Sequence, residues 1–312
     1  MYKTAFLFPG QGSQSVGMGL DFYQEYVAVK ELFDMAEETV KLNLKQLCFK
    51  GPMEELTRTV HLQPALTTVS LSIWTVLEKE GIKADITAGH SLGEYSALRA
   101  ACVMSTGDTL SAVMKRGELM HRESLKQPGA MHAVIGLSID AVSAIVNECQ
   151  GAGPVSVANH NMALQTVITG ATAPVEAASA KAAAQGARVV PLKVSGAWHS
   201  ALIQGAEAEF KGFLASIPFD PPLCPVVHNV TAGTEKNPSA IKDLLVSQLC
   251  SPVRWYDTMQ HLMQQSVTDF AEIGPGAVLT GLLKKTLPSD GNARLHRVNS
   301  LKTLEAFLKA VT

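Results

Sequence analysis

The chain has 312 residues, 46% hydrophobic and 17% charged, with a formal net charge of −2. This near-neutral balance lacks the basic excess of a nucleic-acid binder, the five cysteines form no C-x-x-C pair that would suggest a disulfide framework or zinc site, and no eighteen apolar residues follow one another to span a membrane. The expectation is a cytoplasmic, monomeric protein with reduced thiols and no bound metal, large enough for one big domain or one domain plus a smaller one.

Residues 2–8 read as a buried first strand, broken by Pro9-Gly10-Gln11-Gly12-Ser13-Gln14. Two nucleotide-binding readings of this glycine-rich loop fail on single residues. A dinucleotide fingerprint needs Gly or Ala where Ser15 stands, and a phosphate loop needs lysine where Met18 stands. A tight turn or a loop that offers backbone N–H groups to an anion remains. Residues 21–45 and 53–59 look helical, and His61-Leu62-Gln63-Pro64 opens a helix over 65–81, with Gln63 either a cap or a side chain aimed into a site.

The β-branched run that begins at Ile86 ends in Gly89-His90-Ser91-Leu92-Gly93, and a helix-forming run over 94–104 follows. This is G-x-S-x-G between strand and helix, the nucleophile elbow: a turn so tight that its flanking side chains are nearly absent and the serine hydroxyl stands at a helix N-terminus. Acyl transfer through Ser91 is the expected chemistry. In the next helix, 106–125, Arg116 lies at the edge of the apolar stripe, where a guanidinium either binds a carboxylate or phosphate or snorkels and pairs with Glu123.

Gln127-Pro128-Gly129 marks a boundary. Beyond it come a strand (130–136), a helix (140–150), two strands (154–159 and 165–169), an alanine-rich helix (172–185) and a strand (187–194), a β-α-β-β-α-β order that predicts a ferredoxin-like unit over 127–196 inserted between 1–126 and 197–312. Asn159, His160 and Asn161 close one of its strands, as turn formers or facing a cleft. His199 follows the unit before a helix over 201–214. It is the candidate base for Ser91, since imidazole is best poised to take a hydroxyl proton near neutrality; His90, adjacent to the serine, is expected to pack behind it. A proline-rich loop (218–225), a strand (226–229), a helix (242–248), a strand from Phe270 into Gly274-Pro275-Gly276 and a helix (279–287) complete the reading. Lys284 and Lys285 on the last helix are either solvated surface or a basic landing site for an acidic carrier.

Taken together, F-P-G-Q-G-S-Q at 8–14, Gln63-Pro64-Ala65, G-H-S-L-G-E-Y-S-A-L at 89–98, Arg116-Gly117, G-A-W-H-S at 196–200, Gln248-Leu249 with Pro252, and E-I-G-P-G from Glu272 resemble the malonyl-CoA:acyl carrier protein transacylases of bacterial fatty acid synthesis. The resemblance runs nearly end to end. It implies an α/β fold, with a hydrolase-like large domain built on a parallel sheet and the inserted ferredoxin-like domain. It further implies Ser91 as nucleophile, His199 as base and then acid, the N–H groups of Gln11 and Leu92 as oxyanion hole, Arg116 as clamp for the malonate carboxylate, and the Gln248 backbone carbonyl as the group that orients the histidine. Gln63, Asn159 and Trp198 are the further substrate-binding candidates. No cofactor is implied, only coenzyme A thioester and a phosphopantetheinylated carrier protein as substrates. Trp198 stands where the family commonly has phenylalanine, which bears on acyl selectivity, and Asn161-Met162-Ala163-Leu164-Gln165 departs from the usual N-S-P-G-Q at the cleft edge. The competing readings are a polyketide-line acyltransferase, a serine thioesterase or esterase, and a non-catalytic carrier-docking module.

Overall fold

A computed structural model describes residues 3–288 and 291–311. Strand β1 (Lys3–Phe8) is followed by helices α1 (Leu20–Glu25), α2 (Val27–Val40), α3 (Leu44–Lys50), α4 (Met53–Thr57) and α5 (Thr59–Lys79), then β2 (Ile86–Gly89), α6 (Gly93–Ala100) and α7 (Thr106–Lys126). A second group comprises β3 (Ala130–Ile135), α8 (Ile139–Cys149), β4 (Val155–Met162), β5 (Gln165–Gly170), α9 (Thr172–Ala184) and β6 (Arg188–Pro191). The chain continues through α10 (Glu207–Ala215), β7 (Val226–Val227), α11 (Pro238–Ser247), α12 (Trp255–Gln264), β8 (Val267–Ile273), α13 (Val278–Thr286), β9 (Arg294–Val298) and α14 (Leu301–Val311).

Two sheets organise these elements. The larger has the order β7-β2-β1-β8-β9 and every pairing in it is parallel. Its central strand shows why: Phe6 and Phe8 enter one apolar cluster with the α2 and α5 side chains, while Ala5 and Leu7 enter another with Trp255 and Phe270. A strand buried on both faces reads as an unbroken apolar run, and the two-residue period sends alternate side chains to opposite layers. The smaller sheet is antiparallel, with the order β4-β5-β3-β6 of a β-α-β-β-α-β unit, and helices α8 and α9 cover one face of it through Val142, Ile145, Val175 and Ala178.

Several element boundaries depart from the sequence reading. The single helix expected over 21–45 is three, α1 to α3, because Tyr26 is extended and Lys41 turns left-handed at φ 56°. Helix α5 starts at Thr59 instead of 65, so Pro64 lies inside it and Gln63 is a buried helical residue rather than a cap. Asn159, His160 and Asn161 continue β4 through bulged pairing with β5. The stretch 201–206 is a 3₁₀ turn before α10, and α11 begins at Pro238, where the Asn237 side chain caps it. Strand β6 stops at Pro191, so 192–198 crosses back to the large sheet as irregular chain. Tyr2, placed in the first strand from sequence, lies outside the described residues.

The parallel strands all run toward one edge, where ligand sites of open α/β sheets form. At that edge β2 and α6 meet in direct contact. A Cβ on Gly89 would sit 2.0 Å from the Gly93 carbonyl, and one on Gly93 would sit 2.0 Å from the Phe8 oxygen. No flexible side chain is available to yield there. Gly93→Ala is therefore expected to destabilise the fold by about 3 kcal/mol, measured as a lowered urea midpoint; an unchanged midpoint would show that the turn relaxes without cost.

Candidate active site

Ser91 occupies the turn between β2 and α6 at φ 51°. A serine in the left-handed region carries strain on the order of 1–3 kcal/mol and needs surroundings that hold it there. Both of its backbone polar groups are held by side chains from the far half of the chain: its N–H donates to Asn229 Oδ1 at 2.6 Å, and its carbonyl accepts from Gln248 Nε2 at 3.1 Å. Asn229 in turn donates from Nδ2 to the Gly89 carbonyl at 2.6 Å.

His199 lies across the cleft, also left-handed at φ 60°, with Nε2 2.8 Å from Ser91 Oγ and Nδ1 2.8 Å from the Gln248 carbonyl. A carbonyl can only accept, so the Nδ1 proton donates to Gln248 and the bare Nε2 faces the serine. Arg116 fixes the other end of the same bond: its Nη2 donates to Ser91 Oγ at 3.1 Å, and since a guanidinium cannot accept, the hydroxyl proton points to His199. The imidazole is 3% exposed. Burial first, and the Arg116 charge second, push its pKa down from 6.5 to about 3, against the opposing bond to Gln248.

Arg116 is itself 1% exposed, fully inside rather than at the stripe edge. Its Nη1 donates to Gln63 Oε1 and its Nη2 to Gln248 Oε1, each at 3.0 Å, and burial draws its pKa down. Glu123, the competing partner on its own helix, bonds Arg122 and Lys126 instead. Gly117 permits this geometry, because a Cβ there would press within 3.1 Å of the Thr59 carbonyl and keep α7 away from the helix that carries Gln63. The cation therefore touches neutral amide and hydroxyl oxygens, which leaves its charge available to an anion entering the cleft.

The cleft has a volume of about 550 Å³ including its open mouth. Gln11, Gln63, Ser91, Leu92, Arg116, Asn159, Trp198 and His199 all line it, with Gln248 directly beneath. Met120, Met131, Leu192 and Val194 supply its apolar wall. His90 also reaches the cleft instead of packing behind the elbow; its Nε2 is bonded to Asn161 at 2.9 Å and its ring leans on Trp255. Of the residues departing from the family pattern, Ala163 and Leu164 form the β4–β5 hairpin turn. Glu94, His228 and Asn229, which the sequence reading passed over, form the hydrogen-bonded floor of the site. Their signal was position: Glu94 opens α6, and His228-Asn229 follows the end of a parallel strand. Among the described residues, no cluster of three or more His, Cys, Asp or Glu side chains is placed to hold a metal, and no helix is long and apolar enough to cross a membrane.

A serine on a strand-to-helix elbow, bonded to a neutral histidine over a buried cation, defines a serine enzyme of the acyl-transfer and ester-hydrolysis class. The profile of the acyl transferase domain matches residues 5–305. The malonyl CoA-acyl carrier protein transacylase of Bacillus subtilis (strain 168) is 44% identical over 315 residues, covering 100% of this chain and 98% of the relative. The crystal structure of an acyl carrier protein S-malonyltransferase from Vibrio cholerae superposes with a TM-score of 0.93 at 39% identity, covering 98% of this chain and 99% of the other. A malonyl-transacylase in complex with its type II PKS acyl-carrier protein gives 0.95 at 38% identity, covering 99% of each. The chain belongs to the acyl transferase domain family, in its malonyl CoA-acyl carrier protein transacylase group.

The depressed pKa of His199 has a consequence for stability. Between about pH 6.5 and about 3 the unfolded chain binds a proton at this imidazole and the folded chain does not, so stability is complete above that window and falls as the pH is lowered through it. His199→Gln is expected to flatten the pH dependence of the unfolding free energy below pH 6.5, by up to about 1.4 kcal/mol per pH unit, as read by urea titration. Parallel curves for both proteins would contradict the assignment.

Proposed function

We propose that this protein transfers a malonyl group from malonyl-CoA to the phosphopantetheine thiol of an acyl carrier protein, by way of a malonyl ester on Ser91, and that it supplies fatty acid synthesis. The observation that carries the reading is the hydroxyl held between a bare imidazole nitrogen at 2.8 Å and a buried guanidinium at 3.1 Å. As His199 Nε2 takes the hydroxyl proton, Ser91 Oγ attacks the thioester carbonyl. The tetrahedral oxyanion is received by the N–H groups of Gln11 and Leu92, which border the cleft on the β1 and elbow sides. Collapse expels the coenzyme A sulfur, which leaves with the proton from His199. The carrier thiol then gives its proton to His199 and attacks the malonyl ester, and as the ester bond to Ser91 breaks His199 returns that proton to Oγ. The chemistry requires no cofactor.

Arg116 is the clamp for the free carboxylate. A carboxylate replaces water well only against a fixed, desolvated donor pair, and Gln63 and Gln248 hold the guanidinium in place for it. Trp198, 4% exposed, lines the cleft together with Met120, Met131 and Asn159; in this reading the larger indole narrows the space for branched extender units. Residues 127–196 act as an inserted unit that closes the cleft, since the apolar cluster of Val134, Val146, Ile168 and Val175 lies wholly within them. In this reading the protein works as a monomer in the cytoplasm, where its five thiols stay reduced.

Intact-mass analysis after mixing with malonyl-CoA tests the reading: the protein should gain one malonyl group, and Ser91→Ala none. Arg116→Ala should slow malonyl transfer by about a hundredfold or more while acetyl transfer falls far less; equal losses would remove Arg116 from the carboxylate role. Lys284 and Lys285, exposed at the end of α13, are the proposed landing site for the acidic carrier. Charge reversal of both should raise the KM for the carrier severalfold and leave acylation by malonyl-CoA unchanged, as read by steady-state transfer and by mass.

A further inference from the structure

Glu94, in the first turn of α6, is 1% exposed and takes no part in the steps above. Three donors meet its carboxylate, all from the far half of the chain. His228 Nδ1 donates to Oε1 at 2.8 Å; Gln248 Nε2 and the Asn229 N–H donate to Oε2 at 2.5 and 3.2 Å. His228 Nε2 is buried without a partner, which favours the tautomer with its proton on Nδ1.

Two of these donors continue directly to the reacting pair. The Asn229 side chain holds the Ser91 N–H and the Gly89 carbonyl. Gln248 holds the Ser91 carbonyl with its amide nitrogen, Arg116 Nη2 with its amide oxygen and His199 Nδ1 with its backbone oxygen. The Gln248 amide thus lies as a dipole between a buried cation and a buried anion, its oxygen toward Arg116 and its nitrogen toward Glu94. Reversing the amide would set like ends against both charges, so the Glu94 charge dictates how Gln248 sits. An α-helix start needs no such arrangement: a carboxylate in a first turn is satisfied by the dipole and local N–H groups.

We infer that Glu94 is a positioning residue for acyl transfer, fixing Gln248 and through it the alignment of His199, Ser91 and Arg116. This rests on Ser91 being the acyl-carrying nucleophile. The test compares wild type, Glu94→Gln, Gln248→Ala and the double variant in single-turnover acylation by malonyl-CoA, followed by quench and intact mass, with thermal unfolding measured alongside. Glu94→Gln is expected to lower the acylation rate constant about a hundredfold, the effect of a misplacement near 1 Å, with little change in KM. Adding it to Gln248→Ala should produce no further loss, because the two act through one path. A wild-type rate in Glu94→Gln, or losses that multiply in the double variant, would overturn the inference. Should Glu94→Gln fail to fold, Glu94→Asp carries the test: an intermediate loss at an unchanged melting temperature supports it and a wild-type rate refutes it. Absence of an acyl adduct on wild type would refute the proposed function instead, and the same experiment reveals it.

Discussion

The cleft follows from one steric constraint: the peptide of Gly93 lies against the end of β1 and against Gly89 with no room for a methyl group between them. A chain that turns from strand to helix in so little space pushes the residue between into a left-handed conformation, and that residue is the serine. Its amide is then beyond the reach of local secondary structure, and its carbonyl accepts from the Glu94 N–H of α6 and from Gln248. Buried polar groups must find partners, and here the partners are Asn229 and Gln248. The tight turn therefore requires the second half of the chain to return beneath it, and the same residues that satisfy the turn position the base.

The electrostatics of the dyad differ from those of a serine, histidine and aspartate triad. The acceptor at Nδ1 is a peptide oxygen, which aligns the ring and fixes its tautomer without supplying a negative charge. Burial and the neighbouring guanidinium both oppose an imidazolium. On the proposed reading, a malonate carboxylate held beside Arg116 would bring the missing negative charge with it, and the substrate itself would contribute to making its proton acceptor a stronger base. Selection for a charged acyl group and activation of the nucleophile would in this way be coupled through a single cation.

The parts of the molecule that were legible in the sequence are those encoded by local period and turn chemistry. The elbow, the buried first strand and the β-α-β-β-α-β order each depend on neighbours within about twenty residues, and the structure holds them close to where they were read. Position in the chain also singled out His199. The misses arose where tertiary contact decides. Pro64 suggested a first turn, yet α5 tolerates it mid-helix, packed on all sides. The choice between Glu123 and the cleft as partner for Arg116 could not be made from a helical wheel, because it depends on Arg122 and Lys126 taking Glu123. Glu94 resembles any acidic residue at a helix start, and His228-Asn229 read as the end of a strand that in the structure stops at Val227, until three distant segments are seen to converge. No element after Leu287 was assigned, although Leu301, Leu304, Leu308 and Val311 carry the helical spacing of α14.

Strand β4 lies at the rim of the smaller sheet, and the outward backbone around Asn159 is already taken. Val253 donates to the Ala158 carbonyl and accepts from the His160 N–H, a two-bond seam that joins this rim to the segment just beyond Gln248. The opposite rim is the four-residue β6, which begins with an arginine and ends with a proline that has no N–H to offer. An antiparallel sheet with one border stitched to its own chain and the other short, charged and interrupted gives a neighbouring molecule almost no template for strand addition. The seam that seats the small sheet beside the reacting groups also guards the protein against edge-to-edge aggregation.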